Sequence, residues 1–152
     1  MIVAARFYAL AGTPWILLLL LLFAAVTPNM IAAAFNQNAA RLGKEFSVKA
    51  GQQLTLDGVD FQVKFVGVPQ DSRCPADVNC IWAGNAEVAL NLSYGTCTTD
   101  LTLNTNDGPQ TKQEGKVGDF RVKLVKLDPY PRSDKKIAPN DYVAMLVVTK
   151  AN

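Results

Sequence analysis

"VDFQVKF", residues 59–65, alternates apolar and polar side chains without a break: Val59, Phe61, Val63 and Phe65 fall on one face, Asp60, Gln62 and Lys64 on the other. Successive side chains of an extended chain point to opposite sides, so this period of two reads as a half-buried strand. The same pattern spreads outward from it. "AEVALNLSY" (86–94) sets Val88, Leu90, Leu92 and Tyr94 inside, and Leu101 and Leu103 continue the theme after a turn at Gly95 and Thr96. Residues 86–104 therefore read as a hairpin. In "FRVKLVKL" (120–127), Phe120, Val122 and Leu124 alternate with Arg121 and Lys123, and the phase slips at Leu124 and Val125. A bulge there explains the slip. Tyr142 to Val148 is apolar on both faces, which suits a central strand. Glu45–Lys49 and Gln53–Leu56 flank Ala50 and Gly51 and read as a second hairpin. The expectation is an all-β chain of about seven strands, arranged as an antiparallel β-sandwich of immunoglobulin-like size; a small barrel has the same period.

The beginning of the chain reads differently. Arg6 is followed by an unbroken apolar run from Trp15 to Val26, and no further charge occurs until Arg41. Such a run has the length of a secretory h-region and is short for a bilayer span, and Ala32 and Ala34 supply the small residues that a signal peptidase reads. The expected organisation is a signal peptide over 1–34, a linker over 35–43 and a single β domain over 44–150. The alternative is an uncleaved N-terminal anchor, since Met30 to Phe35 prolongs the apolar stretch; Pro28 and Asn29 sit badly inside a spanning helix. Export to a periplasmic or extracellular space follows, with membrane contact only through an uncleaved signal segment.

Composition removes several function classes. Without residues 1–34 the chain keeps a net charge of +1, too balanced for the lopsided basic footprint of a nucleic-acid binder. It contains no histidine. That takes away the usual general base near neutral pH, the Ser/His and Cys/His nucleophile pairs and the commonest ligand for zinc. Serines 47, 72, 93 and 133 lack a nucleophile-elbow context. The triplet "NLS" at Asn91 lies on an expected strand and reads as chance.

Chemistry is concentrated in "DSRCPADVNCIWAG", residues 71–84. In an extended chain Cys74 and Cys80 would lie roughly 20 Å apart, whereas a disulfide needs its α-carbons within about 7 Å. Pro75, Asp77 and Asn79 are residue types that reverse a chain. An oxidising compartment lets the bond persist, and the expected pair is Cys74 with Cys80, with Trp82 plugging one end of the core. Spacing alone does not exclude Cys97 as the partner of either. Five intervening residues do not fit a thioredoxin-type dithiol, and three cysteines without histidine make a poor zinc set. Asp71, Asp77, Asn79, Asn85 and Glu87 are weak calcium candidates whose spacing matches no EF-hand. Asp71, Asp77 and Glu87 are also the only nearby carboxylates for acid/base work, and nothing marks a pair among them. Asp71 and Arg73 read as a partly exposed ion pair of small weight, and Glu87 as exposed.

"DSRCP", "VNCIWAGNAEVAL", "LDPYP" and "DYVAMLVV" together resemble a family of small exported bacterial proteins of uncharacterised function, over about Phe46 to Thr149. The resemblance implies a bacterial source, export and a small β domain. It implies no activity and no functional residue.

Two further segments fall outside the strands, 104–118 and "DPYPRSDKKIAPND" at 128–141. The second holds Tyr130 between two prolines beside Arg132, Lys135 and Lys136, which reads first as a solvated connection stiffened by its prolines and second, as a stiff aromatic next to positive charge, as a contact surface for an anionic partner. The leading expectation is an exported, non-enzymatic β domain without cofactor that acts through contacts with a protein or a cell-envelope component, using the loops around Arg73, Asp77, Trp82, Tyr130, Arg132 and Lys135. The competing readings are a protease inhibitor working through the closed loop, a calcium or small-ligand binder, and an acid-pair hydrolase.

Overall fold

A computed structural model describes residues 40–151. The expected signal peptide and residues 35–39 of the expected linker lie outside the described residues. Eight strands are present among those described: β1 Glu45–Lys49, β2 Gln53–Thr55, β3 Phe61–Gly67, β4 Glu87–Tyr94, β5 Cys97–Asn104, β6 Glu114–Val117, β7 Phe120–Asp128 and β8 Val143–Lys150. They form two antiparallel four-stranded sheets, β1-β8-β7-β6 and β2-β3-β4-β5. The chain is an all-β sandwich.

The alternation that marks the strands also builds the core. Phe61, Val63 and Phe65 of β3 and Val88, Leu90 and Leu92 of β4 are buried from one sheet; Val122 and Leu124 of β7 and Ala144, Leu146 and Val148 of β8 are buried from the other. Phe61 and Phe120 meet across the two sheets, with ring centroids 4.6 Å apart and planes inclined at 52°. The phase slip in β7 is a real irregularity: the register against β8 shifts between Leu124 and Lys126, which leaves Val125 exposed and brings Leu127 back inside. β8 is a central strand between β1 and β7. Ala40 is buried against the core, and the Gly43 N–H donates to the Val148 carbonyl at 2.7 Å.

Two expectations fail. Residues 45–56 do not form a hairpin, because β1 pairs with β8 and β2 with β3. The chain crosses from one sheet to the other at Ala50–Gln52, where the Gln52 N–H donates to the Lys49 carbonyl and the Gly51 N–H to the Phe65 carbonyl. A hairpin of two such short runs would bury little by itself. Each run gains more by extending a longer strand whose inner face is already apolar. The polar stretch 104–118 is not all loop either, for it contains β6, an edge strand with one buried side chain, Val117. Four residues with a single apolar member carry no readable period.

Phe61 lies where both sheets meet, so Phe61→Ala should destabilise the domain by about 3–5 kcal/mol. Val66→Ala on the exposed side of the same strand should stay within about 0.5 kcal/mol of the parent. Urea unfolding followed by circular dichroism of the β-sheet signal measures both.

Candidate functional site

At the end of β3 the chain continues past its sheet partner and returns to β4 as an irregular two-stranded stalk. The Glu87 N–H donates to the Gln70 carbonyl at 2.8 Å, Ser72 N–H to the Asn85 carbonyl at 2.7 Å and Cys74 N–H to the Ala83 carbonyl at 2.9 Å. Gly84 is fixed by this geometry. Its φ is +69°, and a Cβ there would stand 1.8 Å from the Ser72 carbonyl oxygen across the stalk. At the far end Cys74 and Cys80 are disulfide-bonded, with α-carbons 5.9 Å apart. Cys97 is a free, exposed thiol at the start of β5.

Within the stalk, Asp71 and Arg73 are two positions apart on an extended chain and so share a face. The Arg73 Nε donates to Asp71 Oδ1 at 2.9 Å and its Nη2 to Oδ2 at 2.7 Å. The side chains are only 4% and 12% exposed for Arg73 and Asp71 respectively. This corrects the expectation of a partly exposed pair. The reason is tertiary: the guanidinium also donates to the Leu127 carbonyl at 2.7 Å and to the Pro129 carbonyl at 3.0 Å, and the Tyr142 hydroxyl donates to Asp71 Oδ2 at 3.1 Å. The stalk belongs to one sheet, and these partners belong to the β7–β8 side of the other. Arg73 also stacks over Tyr130, 5.3 Å from its ring centroid.

Burial pushes the Asp71 carboxyl up, but hydrogen bonds from the Arg73 side chain and backbone, the guanidinium charge and the Tyr142 hydroxyl outweigh it and hold Asp71 below its ordinary value. Tyr142 is pushed above its ordinary value by burial and then by the adjacent carboxylate.

The tip of the stalk is tied down as well. Ala76 N–H donates to the Pro131 carbonyl at 2.9 Å, Ser133 N–H donates to Asp77 Oδ1 at 2.9 Å, and the Ser133 hydroxyl donates to Asp77 Oδ2. These bonds hold the Asp77 carboxyl below its ordinary value. On the opposite flank Asn85 Nδ2 donates to the buried Asn104 at 2.7 Å, and the Ala86 N–H donates to Thr105 Oγ1 at 2.9 Å. Three connections, β3–β4, β5–β6 and β7–β8, thus meet at one end of the sandwich.

What this end leaves uncovered is apolar. Ile81 is 93% exposed and Trp82 82% exposed, and Tyr130 is 52% exposed. Trp82 does not plug the core. Stalk pairing fixes Ala83 opposite Cys74, and the core is already closed by the β3 and β4 residues, so the indole is left in solvent. Of the sequence-expected contact residues, Arg73 is buried as a brace, Asp77 faces the β7–β8 connection, Trp82 and Tyr130 are exposed, and Arg132 pairs with Asp134 at 3.2 Å. Lys135 is exposed and without an ion-pair partner among the described residues. Ile81 and Tyr142 were not singled out by sequence; Ile81 resembles any strand residue there, and Tyr142 acts through a partner 71 positions away.

The calcium candidates are placed in separate roles. Asp71 is spent on Arg73 and Tyr142, Asp77 on Ser133, and Asn85 on Asn104, while Asn79 is exposed and Glu87 lies on β4 opposite Asn104. Among the described residues no three Cys, Asp or Glu side chains converge on a point that would hold a metal. Likewise no described helix is long and apolar enough to cross a membrane. No protein-family model, curated protein or solved structure matches the chain.

Removing one partner of a buried, multiply bonded pair strands the other, so Asp71→Asn should cost about 3 kcal/mol at neutral pH. Because the folded-state pKa of Asp71 is lowered, its contribution is present above the unfolded value of about 4 and is lost as pH falls through the lowered value. The stability gap between parent and Asp71→Asn should therefore narrow in acid, which urea unfolding at neutral pH and near pH 3 measures. Reduction of the disulfide should cost about 2.4 kcal/mol on the chain-entropy estimate, read as a lower urea midpoint in the presence of a reductant.

Proposed function

We propose that this protein is an exported, non-enzymatic β-sandwich domain that works by contact, presenting Ile81 and Trp82 on a braced loop to a protein at the cell envelope. The observation that carries the reading is the nearly complete exposure of these two large apolar side chains on a segment held by a disulfide, a buried ion pair and the Asp77–Ser133 bonds. A flexible loop tip exposing apolar residues would gain little by binding, since ordering it costs free energy; a loop ordered beforehand avoids that cost. Tryptophan and tyrosine at the rim of a rigid surface are the side-chain types that dominate contact energetics. Export is supported by the disulfide, a bond that persists in oxidising compartments. The non-enzymatic part is supported by how the carboxylates are committed, since Asp71 is bonded to Arg73 and Tyr142 and Asp77 to Ser133.

The same geometry supports a second reading as an inhibitor, because the closed loop 74–80 and the exposed Ile81 just after it form a segment ordered beforehand, of the kind that enters an enzyme cleft without reordering. Titration against serine, cysteine and metalloproteases separates the two readings; inhibition of any one class selects the second.

A photo-crosslinking residue at position 81, introduced into the protein in its native envelope, should capture a discrete protein. The adduct should fall at least tenfold with Trp82→Ala, as expected for loss of a buried aromatic anchor worth about 2 kcal/mol. A crosslinking pattern that is diffuse and indifferent to Trp82 would remove the contact reading.

A further inference from the structure

Two clefts open on either side of Tyr130. One, of about 190 Å³, is lined by Leu124, Val125, Leu127 and Tyr130, with Arg73 and Asn106 as polar members. The other, of about 160 Å³, has Pro129, Tyr130 and Ile137 as its apolar part, with Arg132, Lys135 and Lys136 outnumbering the single carboxylate of Asp141 beside them. Each is well below the roughly 300 Å³ at which pockets begin to hold a drug-sized molecule, and each suits a single side chain. Tyr130 lines both, so a ligand that fills both passes that ring.

The charge on the two sides differs. In the first cleft Arg73 is neutralised by Asp71, and Lys126 lies 2.9 Å from Asp128. That side is charge-balanced, with Leu124, Val125 and Leu127 as an apolar patch beside the polar Thr105 and Asn106. In the second, Arg132 is paired with Asp134, but neither Lys135 nor Lys136 has an ion-pair partner among the described residues, and both are exposed. A guanidinium carries five N–H donors. Arg73 uses four of them, two on Asp71 and one each on the Leu127 and Pro129 carbonyls, which leaves one Nη1 hydrogen for a carbonyl entering the first cleft.

From this arrangement we infer that the groove across Tyr130 receives an extended peptide segment of a partner protein, with an apolar side chain in the Leu124–Val125–Leu127 cleft and an acidic residue against Lys135 and Lys136. The inference rests on the contact reading above and names the chemistry of the partner. The aliphatic lining of Leu124, Val125 and Leu127 beside a guanidinium with a free donor fits a peptide, which offers an apolar side chain and a carbonyl together.

The test uses the purified, oxidised exported protein and an array of short blocked peptides. Each peptide combines one Leu, Phe or Trp with one Asp or Glu at varied spacing and is printed beside its Asn or Gln twin. Peptides carrying the acid should bind, their amide twins about tenfold more weakly, and added salt should narrow the difference. The double variant Lys135→Glu/Lys136→Glu, at two exposed positions and checked for an unchanged melting temperature, should lose the acidic preference and favour Lys-containing peptides. Tyr130→Phe should retain binding and Tyr130→Ala should lose it. Equal binding of acidic and amide twins, no binding to any peptide, or binding only to phosphatidylglycerol vesicles or to an acidic polysaccharide each overturns the inference. Retained crosslinking at position 81 alongside a blank array would overturn it while leaving the contact reading standing; loss of both would remove both.

Discussion

Taking Asp71 and Arg73 out of water at the open end of the sandwich is tolerable only because they go together and because four of the five guanidinium donors find acceptors. Desolvating either alone would cost several kcal/mol. Together they close a bidentate pair, and the remaining guanidinium donors reach two backbone carbonyls of the opposite sheet. Those carbonyls, at Leu127 and Pro129, lie one before the last residue of β7 and one beyond it. The pair thereby sets where the stalk lies relative to the β7–β8 connection. Once that is set, the Asp77–Ser133 bonds can form at the tip, the Tyr130 ring is held under the guanidinium, and Tyr142 caps the carboxylate just before β8 begins.

Disulfide and ion pair divide the task. The disulfide acts on the tip by shortening the list of conformations open to residues 74–80, an effect of about 2.4 kcal/mol on the entropic estimate. It does nothing to orient the tip against the body. Orientation comes from the hydrogen bonds of Asp71, Arg73 and Asp77, which span 54 to 71 positions of sequence where they leave the stalk. Neither contribution replaces the other, and the outcome is that Ile81 and Trp82 face solvent from a surface with little freedom left to lose. Exposed apolar residues on a mobile loop are a liability for aggregation; on a braced one they are a ready contact surface.

The alternation of Val59 to Phe65, of Val88 to Leu92 and of Phe120 to Leu124 was enough to read strands, because burial of one face of a pleated chain imposes a period of two wherever it occurs. The slip at Leu124–Val125 was legible for the same reason, as was the central position of β8, whose flanking apolar residues need cover on both sides. The pairing of Glu45–Lys49 with Gln53–Leu56 was not: a short turn at Ala50–Gly51 looks identical whether the chain folds back on itself or crosses between sheets. β6 was invisible because its one buried residue, Val117, makes no pattern. In the candidate site, the Cys74–Cys80 bond and the residue types of the loops could be read from spacing and compartment. The burial of Asp71 and Arg73 and the exposure of Trp82 could not, although two opposite charges spaced by two on an extended segment are the signal that a shared face leaves behind.

By itself, then, the amino-acid order determined the longer strands, the all-β class and the expectation of a closed loop, since each depends on residues within a few positions of one another and on the intrinsic geometry of an extended chain. Tertiary structure alone decided which sheet each short strand joins, that a charge pair at the loop base is buried, and that a tryptophan at its tip is not. Those outcomes depend on carbonyls and aromatic rings brought in from more than fifty positions away, and the free energy of burying a polar group is set by partners that local sequence cannot name.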